Sequence, residues 1–65
     1  MRVTLKPSGE TRDIQGIRRV HVLLERLEIL PGTVLVIRGD RLLTEDAEIF
    51  PDDEIELRAV VSGGL

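Results

Sequence analysis

At 65 residues, the chain suffices for one small domain with a single hydrophobic core, but it is short for a deep catalytic cleft. Its residues are 42% hydrophobic and 32% charged, as in folded proteins, and Phe50 is the only aromatic, so the core must be aliphatic. The net charge of −3 argues against direct nucleic-acid binding, which uses a basic face. The absence of cysteine excludes disulfides and thiol nucleophiles.

The first predicted elements are two strands joined by a turn. Residues 2–6 alternate polar and apolar side chains, which is typical of a half-buried strand. Pro7-Ser8-Gly9 predicts a turn. Residues 10–14 predict a second strand, and their many polar side chains indicate an edge of the sheet.

A helix is predicted next, over residues 19–28. Apolar residues recur there at helical spacing, at Val20, Leu23, Leu24 and Leu27. No strong N-cap residue precedes the helix, and Pro31-Gly32 ends the segment.

The second half of the chain predicts three further strands. Residues 33–38 are largely β-branched and apolar on both faces, which favours a central strand. One face is expected to meet the helix, and the other must be covered or must bind something. A turn at Gly39-Asp40 and a short strand over residues 41–44 follow. Ile49 and Phe50 are expected to anchor the next loop.

The strand pattern is clearest over residues 54–61. Alternation points one set of side chains inward (Ile55, Leu57 and Ala59) and the other outward (Glu56, Arg58 and the apolar Val60). The element order predicts an α+β roll with a mixed sheet of four to five strands and one covering helix. We expect one domain over residues 1–61 and a flexible Gly-Gly tail over residues 62–65.

The side chains offer little catalytic chemistry. His21 is a lone histidine, neither serine lies in a nucleophile motif, and Asp52 and Asp53 sit in a turn without an apolar pocket. The acidic residues between 45 and 56 predict solvated turns or, alternatively, a face for a basic partner. We therefore expect a protein that is not an enzyme and binds no metal or cofactor. No membrane helix or signal peptide is evident, so we expect a cytoplasmic monomer.

By elimination, the group with chemistry to offer is the carboxyl end. Two glycines, Gly63 and Gly64, form a thin segment that could thread a narrow channel of another protein. A carboxylate is a poor electrophile, so a partner enzyme would have to activate it with ATP as an acyl-adenylate. The activated glycine could then accept sulfur or acylate a lysine.

The sequence also resembles the bacterial ubiquitin-like sulfur carriers of the ThiS/MoaD type. The resemblance spans the chain and rests on the element order, on Arg38-Gly39-Asp40, on the run from Pro51 to Leu57 and on the end from Val60 to Gly64. It looks closest to carriers that serve tRNA 2-thiouridine synthesis, with thiamin-type carriers next.

The resemblance implies a β-grasp fold and specific roles at the C-terminal end. Gly64 would be the glycine that is adenylated and converted to a thiocarboxylate, with Gly63 and Ser62 in the partner's channel. The implied partners are an adenylyltransferase related to ubiquitin-activating enzymes, which uses ATP, and a sulfur-accepting synthase or tRNA-thiolation enzyme. The apolar sheet surface beside the tail would dock them, with Val60, Leu42, Leu43 and one side of the strand around Val34–Ile37 as candidates.

Two features depart from the family pattern. Asp52 stands where thiamin-type carriers usually have glycine, and Leu65 follows the second glycine, so that Gly64 carries an amide rather than a carboxylate. Either a peptidase removes Leu65 or Leu65 derives from cloning. Two other functions remain open: a ubiquitin-like modifier joined to lysines, and a non-covalent β-grasp interaction module.

Overall fold

Five strands and one helix form in the order that the sequence pattern predicts. The computed structural model describes residues 1–60. The elements are β1 (Arg2–Lys6), β2 (Glu10–Asp13), α1 (Val20–Arg26), β3 (Val34–Arg38), β4 (Arg41–Leu43) and β5 (Glu54–Ala59). The predicted domain boundary at Val61 and the predicted tail over residues 62–65 lie outside the described residues.

The strands form one mixed sheet in the order β2-β1-β5-β3-β4. β5 lies in the middle, parallel to β1 on one side and antiparallel to β3 on the other. β3 is an inner strand, as predicted, because β5 and β4 pair with it on either side, and β5 occupies the middle of the sheet. The edge position predicted for β2 is confirmed, and all of its residues are exposed. This is the α+β β-grasp fold, with five strands and one helix.

The core lies between α1 and one face of the sheet. Alternate residues of the three inner strands supply its sheet side, and the apolar stripe of the helix supplies the other. Burying each of these aliphatic side chains contributes about 1.5–3 kcal/mol, most of which offsets chain entropy. The buried apolar residues are Met1, Val3, Ile17, Val20, Leu23, Leu24, Val36, Ile49, Ile55 and Leu57.

The helix is shorter than predicted at both ends. Arg19 occupies the N-cap position without a side-chain cap. Instead, the N–H groups of Val20 and His21 donate to the carbonyl oxygens of Ala47 and Glu45, at 3.1 and 3.0 Å. Carbonyl groups of the loop before β5 therefore satisfy the first N–H groups of the helix in place of a capping side chain.

The other end of the helix closes in a Schellman turn. Glu28 adopts a left-handed φ of 60°. The Glu28 N–H donates to the Glu25 carbonyl, and the Ile29 N–H donates to the Leu24 carbonyl at 2.9 Å. This pattern satisfies carbonyl groups at the end of the helix, and glycine is its usual residue at the left-handed position.

The loop before β5 is fixed to the sheet by one carboxylate. Asp53 Oδ2 accepts hydrogen bonds from Arg38 Nη1 at 3.0 Å and from the Phe50 N–H at 2.9 Å. Ile49 is buried as expected, but Phe50 is 50% exposed, so its predicted role as an anchor is wrong. Ala59 was expected to point inward and is exposed, because its position lies close to the end of β5.

Candidate functional site

The face of the sheet opposite the helix, which we call the outer face, remains uncovered in the described part of the chain. Strand register identifies its side chains, because directly paired residues point to the same face. Ile37 of β3 pairs with Leu42 of β4 and with Glu56 of β5. Glu56 lies between the buried Ile55 and Leu57 and therefore points to the outer face, and so do Ile37 and Leu42.

Four aliphatic side chains form an apolar patch on this face: Leu35, Ile37, Leu42 and Val60. Leu35 is 40% exposed, Leu42 67% and Val60 36%. Leu35 pairs with Arg58, and Val60 continues the alternation of Glu56 and Arg58 along the same strand. Apolar side chains gathered on one exposed face of a small protein are typical of an interaction surface.

The patch lies where the chain leaves the sheet. The Val60 N–H donates to the Thr33 carbonyl oxygen at 3.0 Å, which ties the end of β5 to the start of β3. Thr33 Oγ1 in turn donates to the Leu30 carbonyl at 2.6 Å. Leu30 is 73% exposed and thus adds a further apolar side chain near this exit.

Charged side chains border the patch on the side of β1. Arg58 is oriented by Glu56, whose Oε2 accepts from Arg58 Nε at 3.0 Å and lies 2.8 Å from Nη2. Lys6 of β1 pairs with Arg58 across the parallel strands and is exposed. The outer face can therefore contact an apolar partner surface and offers basic groups beside it.

The structure separates the three residues predicted to bind a partner. Leu42 and Val60 lie on the outer face, whereas Leu43 points to the other side and packs, partly buried, against the core. Leu35 lies within the strand around Val34–Ile37 that was predicted to contribute one of its sides, with the side left open, whereas Leu30 was not singled out from the sequence. The alternation of β3 could have identified Leu35 once the buried face was known, and Leu30 stands out as a leucine in a Pro-Gly turn.

The remaining predicted site residues all belong to the C-terminal end. Ser62, Gly63 and Gly64 lie outside the described residues. His21 is partly exposed, and its Nδ1 lies 3.2 Å from the Glu45 carbonyl oxygen, so the imidazole helps to hold the capping loop. Within residues 1–60, no three histidine or acidic side chains are arranged to hold a metal ion.

A membrane-spanning helix is not found among residues 1–60, since α1 is neither long nor apolar enough to cross a bilayer.

The β-grasp sheet, with an apolar outer face beside the strand that precedes Gly63 and Gly64, defines a ubiquitin-like protein. No family model matches the chain. It is, however, 37% identical over 65 residues to the sulfur carrier protein TtuB of Thermus thermophilus, a match that covers 98% of this chain and all of the relative. The chain belongs to the bacterial ubiquitin-like sulfur carriers of the ThiS/MoaD type. As a member of that family it is a carrier and not an enzyme.

Proposed function

We propose that this carrier holds sulfur as a thiocarboxylate on Gly64. The apolar patch carries the proposal, because it supplies a docking surface beside the strand from which the glycines follow. Gly64 comes four residues after Val60, and four extended residues span at most about 13–14 Å. An enzyme docked on the patch can therefore reach the Gly64 carboxyl group.

The chemistry requires a partner that uses ATP. In a chain from which Leu65 is absent, the Gly64 carboxylate attacks the α-phosphate of ATP and releases pyrophosphate, which gives an acyl-adenylate. Hydrosulfide, or a sulfur donor that delivers its equivalent, then attacks the carbonyl carbon and displaces AMP. The partner is an adenylyltransferase related to ubiquitin-activating enzymes, and the carrier itself binds no cofactor.

The proposed sulfur acceptor rests on the resemblance of this chain to known sulfur carriers. The relative is named a sulfur carrier, and the resemblance to carriers for tRNA 2-thiouridine synthesis favours a tRNA-thiolation enzyme as the acceptor. A synthase of thiamin or a related cofactor is the second candidate. Both assignments place the carrier in the cytoplasm.

Intact mass spectrometry tests the sulfur-carrier proposal. A chain that ends at Gly64 is incubated with the adenylyltransferase of its source organism, ATP and sulfide. We expect its mass to rise by the difference between sulfur and oxygen, at Gly64. The chain that ends at Leu65 is the matched control and should remain unchanged, because its Gly64 carboxyl group is in an amide bond. Pyrophosphate release without any mass change in the first chain would contradict the proposal.

A further inference from the structure

The chain contains one lysine among its nine basic side chains, Lys6; all the others are arginines. Lysine and arginine differ in whether they can attack an activated carboxyl group. A lysine amine becomes a nucleophile when it loses its proton, whereas an arginine guanidinium stays protonated in proteins. Lys6 is therefore the only side chain of this protein able to supply the amine of an isopeptide bond.

The fold brings Lys6 to the exit of the C-terminal segment. β1 and β5 are parallel, and Lys6 pairs with Arg58, two residues before Val60. Lys6 is exposed, and it forms no ion pair within residues 1–60. Its side chain lines a shallow depression of about 380 Å³ on the outer face, together with Thr4, Ile37, Gly39, Glu54, Ile55 and Glu56.

The other amine of the protein is less accessible. The α-amino group of Met1 lies at the opposite end of β1, and Met1 is only 7% exposed. Its nitrogen lies 3.7 Å from the Asp13 carboxylate, which holds it as an ion pair. The two amines therefore differ in both exposure and position.

We propose that Lys6 is the acceptor site for the activated Gly64 of a second copy of this chain, so that copies join through one defined linkage. The inference rests on the proposed function, which supplies the acyl-adenylate. The deprotonated Lys6 Nζ attacks the Gly64 carbonyl carbon, the bond to the AMP oxygen breaks, and AMP leaves. The amine loses its second proton to solvent as the amide forms. The depression on the outer face is open enough to admit a segment as thin as Gly63-Gly64 beside Lys6.

The experiment uses a donor and an acceptor of different mass. The donor ends at Gly64, carries an N-terminal tag and has Lys6→Arg, so that it cannot accept. The acceptor is the full chain, either unchanged, with K6R, or with K6R and Arg12→Lys. Arg12 is a matched position because it lies on the exposed edge strand β2, away from the depression, with its side chain 51% exposed. Donor, acceptor, adenylyltransferase and ATP are mixed without a sulfur source.

We expect a conjugate whose mass is the sum of both chains less one water, with a branched Lys6–Gly64 peptide after digestion. Conjugation should fall at least tenfold with K6R and should not be restored by R12K. Equal conjugation of the K6R acceptor, or full restoration by R12K, would overturn the inference. The same reaction with sulfide added tests the sulfur-carrier function separately. If the donor then gains sulfur but the first reaction gives no conjugate, only the assignment of Lys6 fails.

Discussion

The two faces of the sheet carry similar aliphatic side chains in different surroundings. On the core face, Ile55 and Leu57 are 2% and 1% exposed beneath the helix. On the outer face, Leu35 and Leu42 are 40% and 67% exposed. Residue type alone therefore does not distinguish a core position from a docking position in this fold. The single helix covers only one face of the sheet. The residues of that face stabilise the fold, and we propose that the residues of the uncovered face bind the partner.

The largest expected effect concerns stability, and it compares one leucine from each face. Leu57→Ala should lower the free energy of unfolding by about 2–5 kcal/mol, because it leaves a cavity in the core. Leu35→Ala should change it by less than about 1 kcal/mol, because the side chain is already partly hydrated. Urea unfolding followed by circular dichroism measures both. If Leu57→Ala does not fold, Leu57→Val gives the same comparison at a smaller cost.

Equal losses of unfolding free energy in Leu57→Ala and Leu35→Ala would contradict the division of roles between the two faces of the sheet. That result would mean that the outer face is covered in solution, for example by another copy of the chain. Sedimentation at the concentration of the unfolding experiment checks this directly.

The next effect concerns binding, and it uses two valines of equal exposure. Val60 on the outer face and Val22 on the helix are both 36% exposed. Val60→Asp should weaken binding to the adenylyltransferase by about 30-fold or more, because it introduces a charge that would lose its hydration in the proposed apolar contact. Val22→Asp should leave the affinity within about twofold, since scattered surface positions contribute little. Isothermal titration calorimetry with the adenylyltransferase in the absence of ATP measures the affinity of both variants.

Similar losses of affinity for Val60→Asp and Val22→Asp would mean that the docking surface is not confined to the outer face of the sheet. Loss only for Val22→Asp would move it to the helix. In both cases the assignment of the outer face would be wrong.

The smallest expected effect is on stability alone, with no change in the affinity for the partner. Glu28→Gly should raise the free energy of unfolding by about 0.5–1 kcal/mol, because glycine adopts the left-handed conformation at less cost than glutamate. Thermal unfolding measures the gain, and Glu25→Gly within the helix is the control that should lower stability by a similar amount. The affinity for the adenylyltransferase should not change in either variant. A lower melting temperature for Glu28→Gly would show that the Glu28 side chain stabilises the turn.

Periodicity, turn residues and β-branched content together predict the type and order of every element in residues 1–60. The reason is that alternation in β1 and β5 and helical spacing in α1 reflect local burial, which a short window of sequence records. The α+β roll with one covering helix is confirmed for the same reason. Tertiary partners decide the details that the sequence does not show.

Three features illustrate this limit. The start of α1 depends on carbonyl groups of Glu45 and Ala47, more than twenty residues away in sequence. Leu43 was assigned to the docking surface with Leu42, although neighbours on a strand point to opposite faces. The identity of the outer face follows only from the side on which the helix packs. The roles of Ser62, Gly63 and Gly64 stay predictions.

The position of β5 between β1 and β3 has a consequence for biosynthesis. While the chain is being made, residues 2–43 can supply only the two halves of the sheet, with a gap where the central strand belongs. The parallel contact between β1 and β5 joins segments from opposite parts of the chain, and such long-range pairings form late. The docking patch combines β3 and β4 with Val60, so it is complete only after β5 has been inserted. If an activating enzyme recognises the apolar patch, as we propose, unfinished or misfolded copies would lack the surface to which it binds.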